Sequence, residues 1–196
     1  MTTQLADEII IRHATLADVN SFRELRLEAL KNHPTAFGQD YTENLLQPQK
    51  YWEEKLTVKS EEQALFFAEQ NGQLIGMTGI FRRLSKKSMH SASIWGVYVK
   101  PEWRGRHISE ALAHSCLNWA KQQNVIVVKL GVLTNNFSAI RCYERCGFST
   151  YGTEPKAISY DGVYYDEYLM AIEIDSTIWF RITSHLKNVT LRYCSG

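Results

Sequence analysis

The chain has 196 residues, a net charge of +1 and 44% hydrophobic residues. This length suits one domain with its own core, and the balanced charge gives no indication of a nucleic-acid partner. No stretch approaches the roughly 20 consecutive apolar residues that span a bilayer, so we expect no membrane partner. The polar N-terminus is unlike a signal peptide, which favours a cytoplasmic protein with four reduced cysteines.

The first predicted elements are a short strand and two helices. Residues 8–12 form an apolar strand, and Thr15 to Asp18 has the pattern of a capping box that opens a helix ending near Asn32. Residues 33–46 are expected to be a loop or broken helix. Pro48 suits the first turn of a second helix, which we expect to end near residue 58.

The rest of the chain alternates between strand and helix patterns, with Asn71-Gly72 and Asp161-Gly162 typical of hairpin turns. Strands are predicted at residues 64–69, 73–82, 89–99, 125–132, 148–153 and 167–174, and helices at 108–120 and 138–145. No repeat or linker interrupts this series. We therefore expect one domain over residues 1–175, followed by an extension over 176–196 that covers a sheet edge, joins a homodimer contact or is loosely ordered.

The stretch from residue 95 to 120 organises the chain. A β-branched and aromatic run predicts a buried strand, which Pro101 ends because it lacks an amide hydrogen. A basic turn with Arg104 and Arg106 follows, directly before a helix that begins near Ile108. Unpaired amides, the positive end of the helix dipole and two guanidinium groups converge there, which predicts a phosphate-binding site.

Two motifs in this region resemble those of the GNAT superfamily of N-acetyltransferases. Residues 104–109, Arg-Gly-Arg-His-Ile-Ser, are similar to the Arg/Gln-x-x-Gly-x-Gly/Ala loop that cradles the acetyl-CoA pyrophosphate. His107 and Ser109 replace the family's small residues, and histidine is one of the few other residues enriched at positive φ. Residues 136–148 resemble the segment Asn-x-x-Ala-x-x-x-Tyr-x-x-x-Gly-Phe and follow a predicted strand, as in the family.

The resemblance implies an α/β (α+β) fold, with a mixed and mostly antiparallel sheet of about seven strands, helices on both faces and a splayed central pair of parallel strands. It also implies that an acetyl group moves from acetyl-CoA, the co-substrate, to a primary amine by direct attack in a ternary complex. The cofactor-binding positions that it implies are Val97, Tyr98, Val99, Arg104, Gly105, Arg106, His107, Ile108, Ser109, Asn136, Ser138 and Tyr143.

The resemblance also implies one catalytic role and leaves another open. The resemblance puts Tyr143 beside the sulfur, as a general acid or as a hydrogen-bond donor to the thiolate. Strand 95–99 contains no acid, so the general base stays open between Glu43, His90 and a water relay, with Glu28 behind them. No metal is expected, because Cys142 and Cys146 lack partners at ligand spacing and suit a packing role.

The acceptor is open between a small-molecule amine and a protein amine. Aromatic residues in segments that border the acceptor side in related folds are candidate contacts: Phe37, Tyr41, Trp52, Tyr160, Tyr164 and Tyr165. The sequence leaves two alternative functions to the N-acetyltransferase. One is a non-catalytic acyl-CoA-binding or sensing module, and the other is an unrelated nucleotide-binding domain, although the Gly-x-x-x-x-Gly-Lys-Ser/Thr motif is missing.

Overall fold

A mixed eight-stranded sheet forms the centre of the computed structural model, which describes residues 8–57, 61–174 and 190–191. In spatial order the strands run β6-β7-β5-β4-β3-β2-β1-β8. Their bounds are β1 (Ile10–His13), β2 (Gln63–Gln70), β3 (Gln73–Arg82), β4 (Ser91–Val99), β5 (Val127–Leu133), β6 (Ser149–Tyr160), β7 (Val163–Glu173) and β8 (Thr190–Leu191). The helices are α1 (Val19–Asn32), α2 (Tyr41–Leu45), α3 (Gln49–Thr57), α4 (Ile108–Gln122) and α5 (Phe137–Arg145).

Helices cover both faces of this sheet, as the resemblance implied. On one face, α4 packs an almost continuous apolar surface on the strands, with Leu112 and Cys116 fully buried. On the other face, α1 and α3 bury Phe22 and Trp52 against Phe67 of β2. None of the helices in the described segments is long and apolar enough to cross a bilayer.

Strands β2, β3 and β4 form the predicted antiparallel meander. Asn71 and Gly72 have φ values of 50° and 78°, so both central residues of the first turn are left-handed, as a two-residue hairpin turn requires. The turn residues therefore located the start of β3, which spans the predicted residues 73–82.

The central strands β4 and β5 are parallel and separate after a short paired region. They pair only between Ser91–Ser93 and Val127–Lys129. Further along, β4 contains an irregularity opposite Met77 to Gly79, and Gly96 there has a φ of +66°. Because a bulge bends a strand and breaks its ladder, the ends of β4 and β5 leave a gap between them. The predicted splayed pair is confirmed.

The last hairpin is longer than the sequence pattern predicted. Strand β6 continues to Tyr160 instead of ending at residue 153, and β7 begins at Val163 instead of residue 167. Much of this hairpin is exposed, so its extra residues carry no alternation of apolar and polar side chains. The two strands pair antiparallel and are connected by the tight turn at Asp161-Gly162.

Most of the predicted extension over residues 176–196 lies outside the described residues. Thr190–Leu191 is described, and it pairs in parallel with Ile10–Ile11 at the edge of the sheet. This pairing matches one of the three roles considered for the extension, the covering of a sheet edge.

Candidate functional site

The basic turn before α4 has the backbone of an anion-binding loop. Gly105 and His107 have φ values of 77° and 59°, so both lie in the left-handed region. His107 occupies the position where the GNAT signature has glycine, and the expectation that histidine tolerates this conformation is confirmed. A Cβ atom at Gly105 would meet nothing within 4 Å, so the loop is open on that side.

The amides of this loop are largely available. Those from Gly105 to Ser109 donate to no backbone carbonyl in the described part of the chain. The Arg104 amide differs, because it donates to the Pro101 carbonyl at 3.2 Å. The amides left for a pyrophosphate in the conformation described are therefore those from Gly105 onward. The remaining amides stand at the positive end of a 15-residue helix, which favours an anion.

The Arg104 side chain holds the loop against its neighbours. Its Nε donates to the Val99 carbonyl at 3.1 Å, and its Nη2 lies 2.8 Å from Nε2 of His33. This guanidinium therefore ties the loop to the end of β4 and the end of α1. Arg104 remains beside the cavity described next, where its charge adds to the positive field.

Glu110, in the first turn of α4, joins the loop to α5. Its carboxylate lies 2.9 Å from Nδ1 of His107 and accepts a hydrogen bond from Nε of Arg145 at 2.7 Å. Burial acts to raise the pKa of Glu110, but the hydrogen bonds from His107 and Arg145 hold that pKa below its ordinary value. The carboxylate thus fixes the His107 ring and one arginine beside the loop.

A cavity of about 530 Å³, the loop cavity, runs from this loop into the gap between β4 and β5. Its walls include the ends of both strands, the first turn of α4 and the inner side of α5. Arg104, Arg141 and Arg145 border it, with Glu110 as its acidic residue. The predicted cofactor positions that line it are Val97, Tyr98, Val99, Arg104, Gly105, His107, Ile108, Ser109, Asn136, Ser138 and Tyr143.

Tyr143 lies deep in the loop cavity, on α5. Its side chain is only 7% exposed and packs edge-on against Phe148, with 6.0 Å between ring centroids. Burial, followed by the nearby Cys142 and Cys146, raises the pKa of the Tyr143 phenol well above its ordinary value. The phenol therefore stays protonated at neutral pH and is a hydrogen-bond donor.

A second cavity of about 490 Å³, the arginine cavity, adjoins the loop cavity and is bordered by Arg26, Lys55 and Glu167. Residues that line both cavities are Ala36, Phe37, Ile94, Trp95, Gly96 and Gly131. The junction therefore lies at the bulge of β4 and the facing part of β5. A molecule in each cavity would meet its neighbour over Gly96.

Arg26 is the most buried charge in the arginine cavity. Its residue is 4% exposed, and its guanidinium carbon lies 4.7 Å from the centroid of the Phe37 ring and 5.7 Å from that of Trp95. Nη2 donates to Oε1 of Gln39 at 3.0 Å, whereas Nη1 is buried without a partner among the described atoms. Burial lowers the pKa of Arg26 to about 10.

Glu167 supplies the carboxylate of the same cavity. It lies on β7, and a Cβ atom at Gly131 would approach its Oε2 to 2.6 Å, so the absence of a side chain at Gly131 makes room for it. Burial, and then the charge of Glu154, raise the pKa of Glu167 above its ordinary value. A half-buried carboxylate with a raised pKa at the junction of two cavities is a candidate proton acceptor.

Neither proposed general base from the sequence lies at this junction. Glu43 is exposed on the short helix α2. His90 precedes β4, where its carbonyl accepts from Ile126 at 2.8 Å, and this is the end of the strand opposite the gap. Glu28 accepts a hydrogen bond from the Tyr98 hydroxyl at 2.8 Å and lies 3.5 Å from Lys100.

The predicted acceptor contacts differ in whether they border the two cavities. Phe37 borders both cavities. Trp52 is 1% exposed in the core between α1 and α3, so the expectation that it touches an acceptor is corrected. Tyr41 begins α2, and Tyr164 is 60% exposed on the last hairpin. Neither residue borders either cavity.

Sequence reasoning missed Arg26, Lys55 and Glu167. Arg26 lies between Leu25 and Leu27 in an amphipathic helix, where an arginine normally faces solvent. One signal was present: its spacing from the inward residues Phe22 and Leu30 is four, which puts Arg26 on the apolar face. Glu167 had no comparable signal, because its place depends on the pairing of β7 with β5.

Comparison with known proteins agrees with this geometry. A family model described as the acetyltransferase (GNAT) family matches residues 22–148. The chain is 28% identical over 171 residues to the L-amino acid N-acetyltransferase AaaT of Escherichia coli, which covers 84% of this chain and 97% of that protein. It is also 30% identical over 142 residues to an uncharacterised N-acetyltransferase of Methanocaldococcus jannaschii, covering 70% of this chain but only 59% of that relative.

Solved structures share the fold. A GNAT-family acetyltransferase of Streptococcus pneumoniae superposes with a TM-score of 0.76 at 22% identity, over 85% of this chain and 100% of that one. A Salmonella typhimurium protein solved with its cofactor acetyl-CoA superposes with a TM-score of 0.74 at 22% identity, over 86% and 95% of the two chains. The family model covers more than half of the sequence and both predicted motifs. The chain therefore belongs to the GNAT family of acetyltransferases.

Proposed function

We propose that this protein transfers the acetyl group of acetyl-CoA to the α-amino group of an amino acid, by direct attack of the amine in a ternary complex. The observation that carries the proposal is the junction of the loop cavity and the arginine cavity over Gly96. One cavity suits a diphosphate and an extended arm, and the other suits a small charged acceptor. The E. coli relative, whose name specifies L-amino acids, supports this acceptor class.

The residues of the loop cavity fit acetyl-CoA. The amides from Gly105 to Ser109 would bind the pyrophosphate, helped by the α4 dipole and by the neighbouring arginines. Asn136 caps α5 by accepting from the Ala139 amide at 3.2 Å, so its side-chain NH₂ is the part left for the cofactor arm. When bound, acetyl-CoA supplies an activated thioester.

The backbone of β4 would orient the acetyl group. Beyond Ser93, β4 no longer pairs with β5, so the backbone groups of Val97 and Tyr98 can pair with the pantetheine arm. The Val99 carbonyl already accepts from Arg104, which leaves the groups nearer the bulge for this role. An amide at the bulge would polarise the acetyl carbonyl, and a preorganised donor there lowers the barrier.

Glu167 would act on the amine side of the thioester and Tyr143 on the sulfur side. Glu167 borders the arginine cavity and would take a proton from the acceptor's ammonium group, which makes the amine nucleophilic. Tyr143 borders the loop cavity and would donate a hydrogen bond to the departing sulfur. This assignment replaces the Glu43 and His90 candidates, which lie away from the junction.

Cellular placement and assembly remain predictions. The three cysteines within the described residues, Cys116, Cys142 and Cys146, are free and buried. Free thiols fit a reducing compartment, which supports the proposed cytoplasmic location. A homodimer is still proposed only from the sequence of the last 21 residues.

The proposal is tested with a panel of amines and an assay for free CoA thiol. We expect thiol release with L-amino acids and slow or no release with polycationic antibiotics and peptide N-termini. Calorimetry with acetyl-CoA provides the control for cofactor binding. Acetyl-CoA binding with no thiol release from any amine would contradict the enzyme proposal and favour the acyl-CoA-sensing alternative.

A further inference from the structure

We propose that the guanidinium group of Arg26 binds the α-carboxylate of the acceptor and thereby restricts acetylation to amines that carry a free carboxylate. This inference rests on the proposed function and adds the residue that selects the substrate.

Arg26 is a buried cation that no described carboxylate neutralises. Among the described residues, no carboxylate forms an ion pair with it, and its polar contact is the neutral Gln39 amide. Burying an unpaired charge is costly unless a partner compensates it. A carboxylate on the ligand would provide this partner, and a guanidinium is the side chain best suited to bind one through two parallel hydrogen bonds.

The unpartnered nitrogen of Arg26 lies against the bulge of β4. A Cβ atom at Gly96 would lie 3.3 Å from Nη1 of Arg26, so this nitrogen points at the bulge where the two cavities meet. An α-amino acid has its carboxylate and its amine on one carbon. A carboxylate held by the guanidinium on this side would therefore keep the amine next to the proposed acetyl position.

The charged side chains that border the arginine cavity also suit an amino acid. Lys55 lies on the same cavity, with its ammonium 5.9 Å from the centroid of the Trp95 ring, and Glu167 is the acid that borders it. Two cations and one carboxylate complement a zwitterion. The same arrangement repels polycationic acceptors, for which an acidic pocket would be expected.

The aromatic walls support the same assignment. Phe37 and Trp95 flank the guanidinium and restrict its motion, so little side-chain entropy is lost when a carboxylate binds. Gln39 accepts a hydrogen bond from Nη2, the other terminal nitrogen of the guanidinium. The Nε2 atom of Gln39 in turn lies 3.4 Å from the Tyr51 hydroxyl. The Arg26 guanidinium is therefore held in place before an acceptor arrives.

The test compares each L-amino acid with its own α-carboxamide, which lacks the carboxylate charge and has a less basic amine, so rates are compared at equal concentrations of the neutral amine. For the wild-type protein we expect kcat/KM to be about 10- to 100-fold higher for the acid than for the amide, the range for a charge-assisted hydrogen bond. In Arg26→Met this preference should disappear through a rise in KM for the acid, with the amide nearly unaffected. Arg26→Lys should restore part of it.

Arg23→Met is the matched control, because Arg23 lies on the same helix, donates to the Leu45 carbonyl and borders neither cavity. Calorimetry with acetyl-CoA checks that each variant is folded. Equal loss of activity for acid and amide in Arg26→Met would indicate a structural role and overturn the inference. If the variant does not fold, equal use of acid and amide by the wild-type protein would overturn it as well.

These outcomes are separate from failure of the proposed function. Thiol release from amino acids without preference for the carboxylate would leave the N-acetyltransferase proposal intact and reject the role of Arg26. Absence of thiol release from every acid and every amide would instead reject the proposed function.

Discussion

Replacement of Tyr143 by phenylalanine is expected to lower the rate of acetyl transfer at least about tenfold, with little change in acetyl-CoA affinity. A thiol has a pKa of about 8.5 and a phenol of about 10, so full proton transfer from tyrosine is already uphill by about 2 kcal/mol. Burial raises the pKa of the Tyr143 phenol further. We therefore expect Tyr143 to stabilise the thiolate by donating a hydrogen bond, without releasing its proton.

A tenfold loss corresponds to about 1.4 kcal/mol, within reach of one hydrogen bond to a charged group. Single-turnover kinetics with saturating acetyl-CoA measures this step, and calorimetry measures affinity. Tyr151→Phe serves as the control, because Tyr151 is 56% exposed on β6. Unchanged turnover in Tyr143→Phe would remove this residue from the mechanism.

Replacement of Glu167 by glutamine is expected to lower kcat at least about 100-fold at neutral pH, the low end for loss of a general base. The variant keeps the size of the side chain above Gly131 but cannot take a proton. Because the pKa of Glu167 is raised, its carboxylate is the active form only above that raised value. The wild-type rate should therefore fall as the pH is lowered through this pKa.

A variant at Glu154 also tests whether the pKa of Glu167 controls the pH dependence of the rate. It pairs with Glu167 across β6 and β7, and its charge is the second cause of the raised pKa, after burial. Glu154→Gln should therefore move the acidic limb of the rate profile to lower pH and leave the plateau unchanged. The cations Arg26 and Lys55 border the same cavity and are unchanged in this variant. An acidic limb that survives in Glu167→Gln would exclude Glu167 as the base.

The central part of the fold was predictable from local signals. Pro101 ended β4, the amphipathic pattern gave α4, and the backbone at His107 adopted the left-handed conformation that its motif position requires. Paired turn residues located both hairpins. These features depend on residues close together in sequence, so a single sequence contains them.

The acceptor side was less predictable because it is assembled from distant segments. Arg26 comes from α1, Lys55 from α3 and Glu167 from β7, and no motif links them. Because β4 carries no acid, the predicted general base had to lie elsewhere, and Glu43 and His90 were the candidates. Trp52 was predicted to contact the acceptor, but it is buried against Phe22 of α1, and this burial depends on tertiary packing.

The position of the thioester decides this mechanism, and a crystal structure with acetyl-CoA measures that position directly. We expect the diphosphate on the amides of residues 105–109, the acetyl carbonyl beside Gly96 and the sulfur within hydrogen-bond distance of the Tyr143 hydroxyl. A diphosphate bound elsewhere, or a sulfur out of reach of Tyr143 with the acetyl group facing away from the arginine cavity, would contradict it.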